Sequence, residues 1–369
     1  MMGAKGKRMR MIGSRIGHSA LVLAASSSLL ALLFIFYFII RDAVPFFSLE
    51  GVGEFFTSTR WYPSRDEAEF GALAIFIGSG LVTLGAVVFS VPMGVFASLC
   101  LSDILPFSLR QVVKPVIEML AAIPSVVYGF FALVVLAPML QEKGGSLLAV
   151  GAMLVLVPLT IILIVVVSDL TSNLFAENIR KIMRIMTAAI AAAISFFIVL
   201  KVYHFMNGLE VSSGTNALNA SVMLGIMALP MIVSISEDAL NAVGRDLREG
   251  SYALGATRAE TLVKVVVPAA KSGIVAAVIL GVMRAIGETM VVWMASGNAS
   301  RIPQPWFNLL QPVRTLTATI AGDMGEADHV TGSSRYHVLF VMALCLLVIA
   351  FISNLVSELI VRRARKNGR

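Results

Sequence analysis

Charge is scarce in this chain: Asp, Glu, Lys and Arg make up 14% of its 369 residues, against 58% hydrophobic residues. A soluble fold needs a charged surface, so this balance excludes a single soluble core and indicates a polytopic membrane protein. Cysteine and histidine are scarce too. Cys100 and Cys345 fall inside apolar runs without metal-ligand spacing and read as packing residues. His18, His204, His329 and His337 are scattered near span ends or in an external loop, and nothing pairs them with a nucleophile or a metal spacing, so none receives a catalytic role. A G-x-x-x-x-G-K-[ST] phosphate loop is missing, and the run from Gly3 to Lys7 is only a basic tail. The chain is therefore not its own ATPase by that mechanism. No basic face is gathered either: the net charge of +7 is spread as short clusters between apolar runs, which sets topology and implies no nucleic-acid partner.

What is present is a series of eight apolar runs, near 20–40, 71–100, 115–140, 146–167, 187–206, 218–240, 272–296 and 337–361. Each approaches or exceeds the roughly 20 residues that cross a bilayer as helix. The first run is too long for a signal-peptide core and lacks a convincing cleavage site, so it reads as a retained span. With the amino terminus inside, 20 of the 29 basic residues fall on the cytoplasmic side, among them Arg110, Lys114, Arg180, Lys181, Arg184, Arg245 and Arg248. Both termini are expected in the cytoplasm. The organisation that follows is a basic tail (1–19), a first span (20–40), an extracytoplasmic loop (41–70), a first core region (71–140), a transmembrane hairpin (141–217), a second core region (218–361) with a cytoplasmic segment at 241–271, and a second basic tail (362–369). The fourth and fifth runs are the weakest as spans; a re-entrant or interfacial pair is the alternative. The external loops at 41–70 and 297–336 show no strand pattern and no core of their own, so substrate capture falls to a separate protein.

Within the seventh run, Arg284-Ala-Ile-Gly-Glu288-Thr289-Met290 places a guanidinium and a carboxylate one helical turn apart, on one side of the expected helix. A basic residue at the bilayer centre costs roughly 2.5 to 3.5 kcal/mol, so it requires a partner or an aqueous cavity. Two readings stand: a self-compensating pair that orients the helix, or an oxyanion site in which the planar fork of Arg284 binds oxygens and Glu288 accepts a hydrogen bond from a protonated anion. A fully ionised sulfate lacks that proton, so the second reading leans towards phosphate. Ser79 and Thr83, one turn apart in the second run, are candidates for lining the path, with packing through small residues as the alternative. Pro124 and Ser125 mark a kink beside the path or in the packing. Glu237 and Asp238 close the sixth run where carboxylates reach water, which favours a structural or interface role over substrate contact.

The segment between the sixth and seventh runs carries Glu249-Gly-Ser-Tyr-Ala-Leu-Gly255 and, nine residues later, Val265-Val-Val-Pro268. It resembles the E-A-A-x3-G-x9-I-x-L-P loop of ABC importer permeases, with departures at Gly250, Ser251, Val265 and Val267. The resemblance implies an all-α bundle of the ABC importer permease type, whose coupling helices sit in a groove of a cytoplasmic ATPase. By position it assigns Glu249, Tyr252, Leu254, Gly255, Ala256 and Pro268 to that coupling surface, with Gly255 at a turn of positive φ.

Further runs sharpen the resemblance to phosphate importer permeases of the PstC type rather than the PstA type. These are Phe55-Phe-Thr-Ser-Thr-Arg-Trp61 with Phe70-Gly-Ala72, Ala121-Ala-Ile-Pro-Ser-Val-Val-Tyr-Gly129, Ser234-Ile-Ser-Glu-Asp-Ala-Leu240, Leu254-Gly-Ala-Thr-Arg258, and Arg284 to Met290 with Gly297-Asn298. They cover about 50–140 and 218–361. The family has six spans, so 141–217 reads as an inserted hairpin whose even count preserves sidedness. The resemblance implies Arg284 and Glu288, with Thr289 beside them, as translocation residues. It also implies a second, PstA-like permease, two PstB-like ATPase subunits that hold ATP and Mg, and a PstS-like extracytoplasmic phosphate-binding protein; beyond membrane lipid, this chain binds no cofactor. An ion-coupled secondary anion transporter would need coupling carboxylates and an internal repeat, and no repeat is found. A permease-like scaffold or sensor of phosphate status remains a third reading, since sequence does not reveal flux.

Overall fold

The computed structural model describes residues 4–49, 51–65, 67–172, 177–327 and 333–367; His329 and Arg369 lie outside them. Helices dominate: α1 (Ala4–Leu49), α2 (Val52–Thr57), α3 (Leu73–Leu99), α4 (Phe107–Ala122), α5 (Ser125–Phe131), α6 (Ala137–Ser172), α7 (Glu177–Asn207), α8 (Ala217–Asn241), α9 (Arg245–Ala253), α10 (Arg258–Thr261), α11 (Val267–Ile286), α12 (Met290–Ala295), α13 (Leu316–Met324) and α14 (Ser334–Asn367). Among the described residues the architecture is all-α and polytopic, apart from one hairpin of two-residue strands.

Among the described residues, seven helical stretches are long and apolar enough to cross a membrane, where the sequence gives eight runs. The third and fourth runs share one stretch, Ser125–Ser172. Its 48 residues would extend about 70 Å as straight helix, more than twice a bilayer core of about 30 Å. Lys143, at φ −129° and ψ 22°, breaks it into two limbs. The second limb packs antiparallel to α7: Asp169 pairs with Arg184 at 2.9 Å at one end, and Gly145 lies against the Asn207 carbonyl at the other.

Two compact units divide the chain. The first contains the residues up to Leu73 with Thr319–Val356. Here β1 (Trp61–Tyr62) and β2 (Glu69–Phe70) pair antiparallel, Trp61 opposite Phe70. Buried Phe46, Phe55, Trp61 and Phe70 meet edge-on, with centroids 5.7 Å apart for Phe46 with Phe55 and for Phe46 with Phe70. The buried Trp61 Nε1 donates to Asp323 Oδ2 at 3.2 Å. The 41–70 segment therefore has both a strand pair and a small aromatic core, contrary to expectation; two-residue strands are too short to show an alternating pattern, and aromatics spaced along a short loop give no period to read.

The second unit, Ala74–Ala318 with the residues from Ser357, is built around α8. Ile232 on α8 is fully buried between Gly94 of α3 and Gly281 of α11, where a methyl group would come within 2.7 Å and 2.6 Å of its side chain. Helices approach this closely because small residues let backbones touch when lipid supplies no hydrophobic drive. At the N-terminus of α8, the Asn216 side chain accepts from Asn219 N at 2.9 Å, and Asn219 Nδ2 donates to the Ala132 and Gly214 carbonyls, both at 3.0 Å. The 297–336 loop also departs from expectation: Val313, Thr315, Leu316, Thr317 and Ala318 are buried.

Two prolines explain local irregularities. Pro138 and Pro268 each follow a single π-turn, at Ala132–Leu136 and Leu262–Val266. A proline ring strikes the carbonyl four residues back, and here those carbonyls, of Val134 and Lys264, lie inside the widened turn. Pro268 consequently does not end a loop: the helix runs from Arg258 to Ile286. Within 241–271 the only long break is the turn from Leu254 to Thr257, between α9 and the helix that starts at Arg258.

Candidate translocation site and coupling surface

α11 ends at Ile286, and Gly287 to Thr289 are unwound before α12 begins. Gly281 opposes Ile232 near the middle of α8, which places the last turn of α11, with Arg284, at mid-span. Arg284 and Glu288 are thus not one turn apart on a continuous helix, as the sequence suggests. They form no ion pair. Both side chains are half-buried, and Arg284 Nε is buried without a hydrogen-bond partner. The local reason is chemical: Gly287 is a poor helix former, and the Glu288 carbonyl accepts a hydrogen bond from Thr317 Oγ1 at 2.7 Å in place of a helical one. The Tyr128 hydroxyl is engaged elsewhere, donating to the Leu120 carbonyl at 2.8 Å. What results is an open guanidinium beside an interrupted helix, the backbone arrangement that membranes tolerate where a cavity or neighbouring protein satisfies it. Thr289, half-buried at the N-cap of α12, makes no side-chain cap.

The other lining candidates separate. Ser79 is occupied structurally, donating to the Ile75 carbonyl at 2.9 Å and accepting from Leu316 N at 2.8 Å. Thr83 lies half-buried one turn further along α3. Pro124 is exposed and does not kink a helix from within: Ile123 and Pro124 are both extended, so α4 ends and α5 starts there. Ser125 is half-buried at the first position of α5.

At the other end of α8 the expected turn is present. Gly255 has φ 83°, and a side chain there would meet open space, so backbone conformation alone demands glycine. Thr257 caps α10 in a reciprocal box with Glu260, its hydroxyl accepting from Glu260 N at 3.3 Å while Glu260 Oε2 accepts from Thr257 N at 3.1 Å. Glu249, Tyr252 and Leu254 are exposed, Leu254 to 90%, Ala256 is half-buried and Pro268 is exposed. Leu254 thus presents an apolar side chain to solvent on a hairpin that is otherwise largely polar. Below it, Ser102, Asp103, Arg248, Tyr252 and Arg258 border a cleft of about 460 Å³.

Residues 90–366 match the family of binding-protein-dependent transport system inner membrane components. The chain belongs to this family. The permease is 32% identical to the probable ABC transporter permease protein YqgH of Bacillus subtilis, over 83% of this chain and 77% of that protein. It is 30% identical to the phosphate transport system permease protein PstC of Mesorhizobium japonicum, over 81% and 75%. With phosphate transport system permease protein PstC 1 of Mycobacterium tuberculosis it shares 27% over 100% of this chain and 96% of the relative. It is an inner-membrane protein.

Three features of this permease are not evident from its sequence. Glu237, fully buried, is held by Arg110 and by Lys114 at 3.1 Å. Those two cations, four residues apart on α4, read in the sequence only as topological charge, although a carboxylate in an apolar helix calls for such partners. Arg248 on α9 pairs with Asp103 after α3 and also donates to the Leu240 carbonyl at 2.9 Å, tying the α9–α10 hairpin to two spans. Thr317 is hidden inside a loop that reads as external.

Proposed function

We propose that this permease moves inorganic phosphate into the cytoplasm by alternating access as one subunit of an ATP-driven importer. The observation that carries this reading is Arg284, half-buried at mid-span beside a helix break, with a buried Nε that has no partner and a guanidinium not neutralised by Glu288. A planar fork of donors matches a tetrahedral oxyanion, and a carboxylate nearby accepts a hydrogen bond from the P–OH group that hydrogen phosphate retains at neutral pH. Thr289 lines the same unwound segment. The names of the PstC relatives support the choice of anion. The importer also comprises a PstA-like second permease, two PstB-like ATPase subunits holding ATP and Mg, and a PstS-like phosphate-binding protein outside. Glu249, Tyr252, Leu254, Gly255 and Ala256 dock on the ATPase, with Pro268 behind them, and its closure moves the spans between two states of different anion affinity. The permease itself makes and breaks no covalent bond. The test is uptake of labelled phosphate by the reconstituted importer: Arg284→Ala abolishes it while the complex still copurifies, and Arg284→Lys is also poor because a point charge lacks the bidentate fork. Wild-type uptake by Arg284→Ala would refute the site.

A further inference from the structure

We infer that Thr317 is a positioning residue for the oxyanion site: its hydrogen bond to the Glu288 carbonyl holds the unwound Gly287 to Thr289 backbone so that the Glu288 carboxylate stays off Arg284. The inference rests on the reading of Arg284 as the anion site.

With α11 ending at Ile286 and α12 beginning at Met290, the Glu288 carbonyl lies between two helical ladders. A bare carbonyl at this depth is strongly unfavourable, so its partner fixes where the strand between the helices sits. That partner is Thr317 Oγ1, at 2.7 Å. Thr317 is itself delivered to a set place. Leu316 N donates to Ser79 Oγ at 2.8 Å, and Ser79 donates onward to the Ile75 carbonyl of α3 at 2.9 Å. Gly78, one residue earlier, has no Cβ, and the Arg314 carbonyl occupies the space one would need. Adjacent residues of one buried segment thus bond in two directions, Leu316 to α3 and Thr317 to the break beside Arg284. A shift of α3 during the transport cycle pulls the Glu288 backbone and changes the separation of its carboxylate from the guanidinium. The anion is held when the two are apart and displaced when they close, since the carboxylate then competes for the same donors.

The test uses the complete importer in proteoliposomes, with labelled inorganic phosphate and rates normalised to copurified ATPase. Thr317→Val keeps the shape and loses the donor; it raises KM for phosphate about tenfold with little change in maximal rate, as expected for loss of one buried hydrogen bond. Thr317→Ser restores the donor and stays within about twofold of wild type. Ser79→Ala shifts KM in the same direction as Thr317→Val and carries the test if the valine variant does not assemble. Unchanged KM in Thr317→Val overturns the inference, as does a serine variant as impaired as the valine one, and so does an unchanged Ser79→Ala where that variant is the one assayed. Arg284→Ala in parallel separates the two levels: normal uptake there removes the anion site itself, whereas lost uptake with a normal Thr317→Val removes only the positioning role.

Discussion

Glu237 shows how one residue's charge is managed inside an apolar helix. Its carboxylate is inaccessible to water and is balanced by Arg110 and Lys114. Removing both cations leaves an uncompensated buried charge, which destabilises by about 3–5 kcal/mol. We expect Arg110→Ala with Lys114→Ala to lower the thermal unfolding midpoint of the purified permease sharply, and a third change, Glu237→Leu, to recover most of the loss; a triple variant no more stable than the double would refute the ion-pair account. The presence of Glu237 at the end of a span is legible in the sequence, which also favours a structural role for it. Its partners are not legible, because they come from another helix. Arg284 repeats this division. Hydropathy alone gives its depth, whereas its freedom from Glu288 depends on Thr317, which is 29 residues beyond Glu288 and invisible to any helical period.

At the scale of elements, the coupling hairpin is the most legible portion of the molecule. A positive φ is a local demand that glycine meets by itself, and Gly255 adopts 83°. Gly255→Val forces a β-branched residue into that conformation at about 1–2 kcal/mol, so the turn opens although the spans are untouched. The expected outcome is normal insertion, retained basal ATP hydrolysis and phosphate uptake reduced at least about tenfold, read from ATPase and uptake assays on one preparation. Uptake at the wild-type ratio to hydrolysis would contradict it. Helix ends are less legible. Pro268 reads as a boundary in a one-dimensional pattern, but the π-turn at Leu262–Val266 lets helix pass through it. Pro124 reads as a kink and is a complete break. Both outcomes depend on which backbone groups a neighbour can satisfy, and that information is tertiary.

For the whole molecule, composition is enough to establish an all-α membrane protein, and the charge bias assigns sides to its spans. Cysteine at Leu254 should react with an impermeant maleimide only from the cytoplasm, and cysteine at the exposed Ser212 only from outside. Reaction of both from one side would refute the crossing of α8, the long helix between them. Within the 141–217 stretch, Gly214, Asn216 and Ala217 support the N-terminus of α8, through Asn219 and its carbonyl partners. The arm proper begins after Gly145 and ends at Asn207.

Those two residues touch, with the Asn207 carbonyl 2.5 Å from where a Gly145 side chain would begin. An appendage whose entry and exit coincide can be gained or lost by a single splice in the gene, with no gap to bridge and no reversal of anything downstream. Carriers of this design can therefore differ in length by a pair of crossings at this point while sharing one mechanism, and the same joint offers a place to graft a reporter into the lipid beside a working importer.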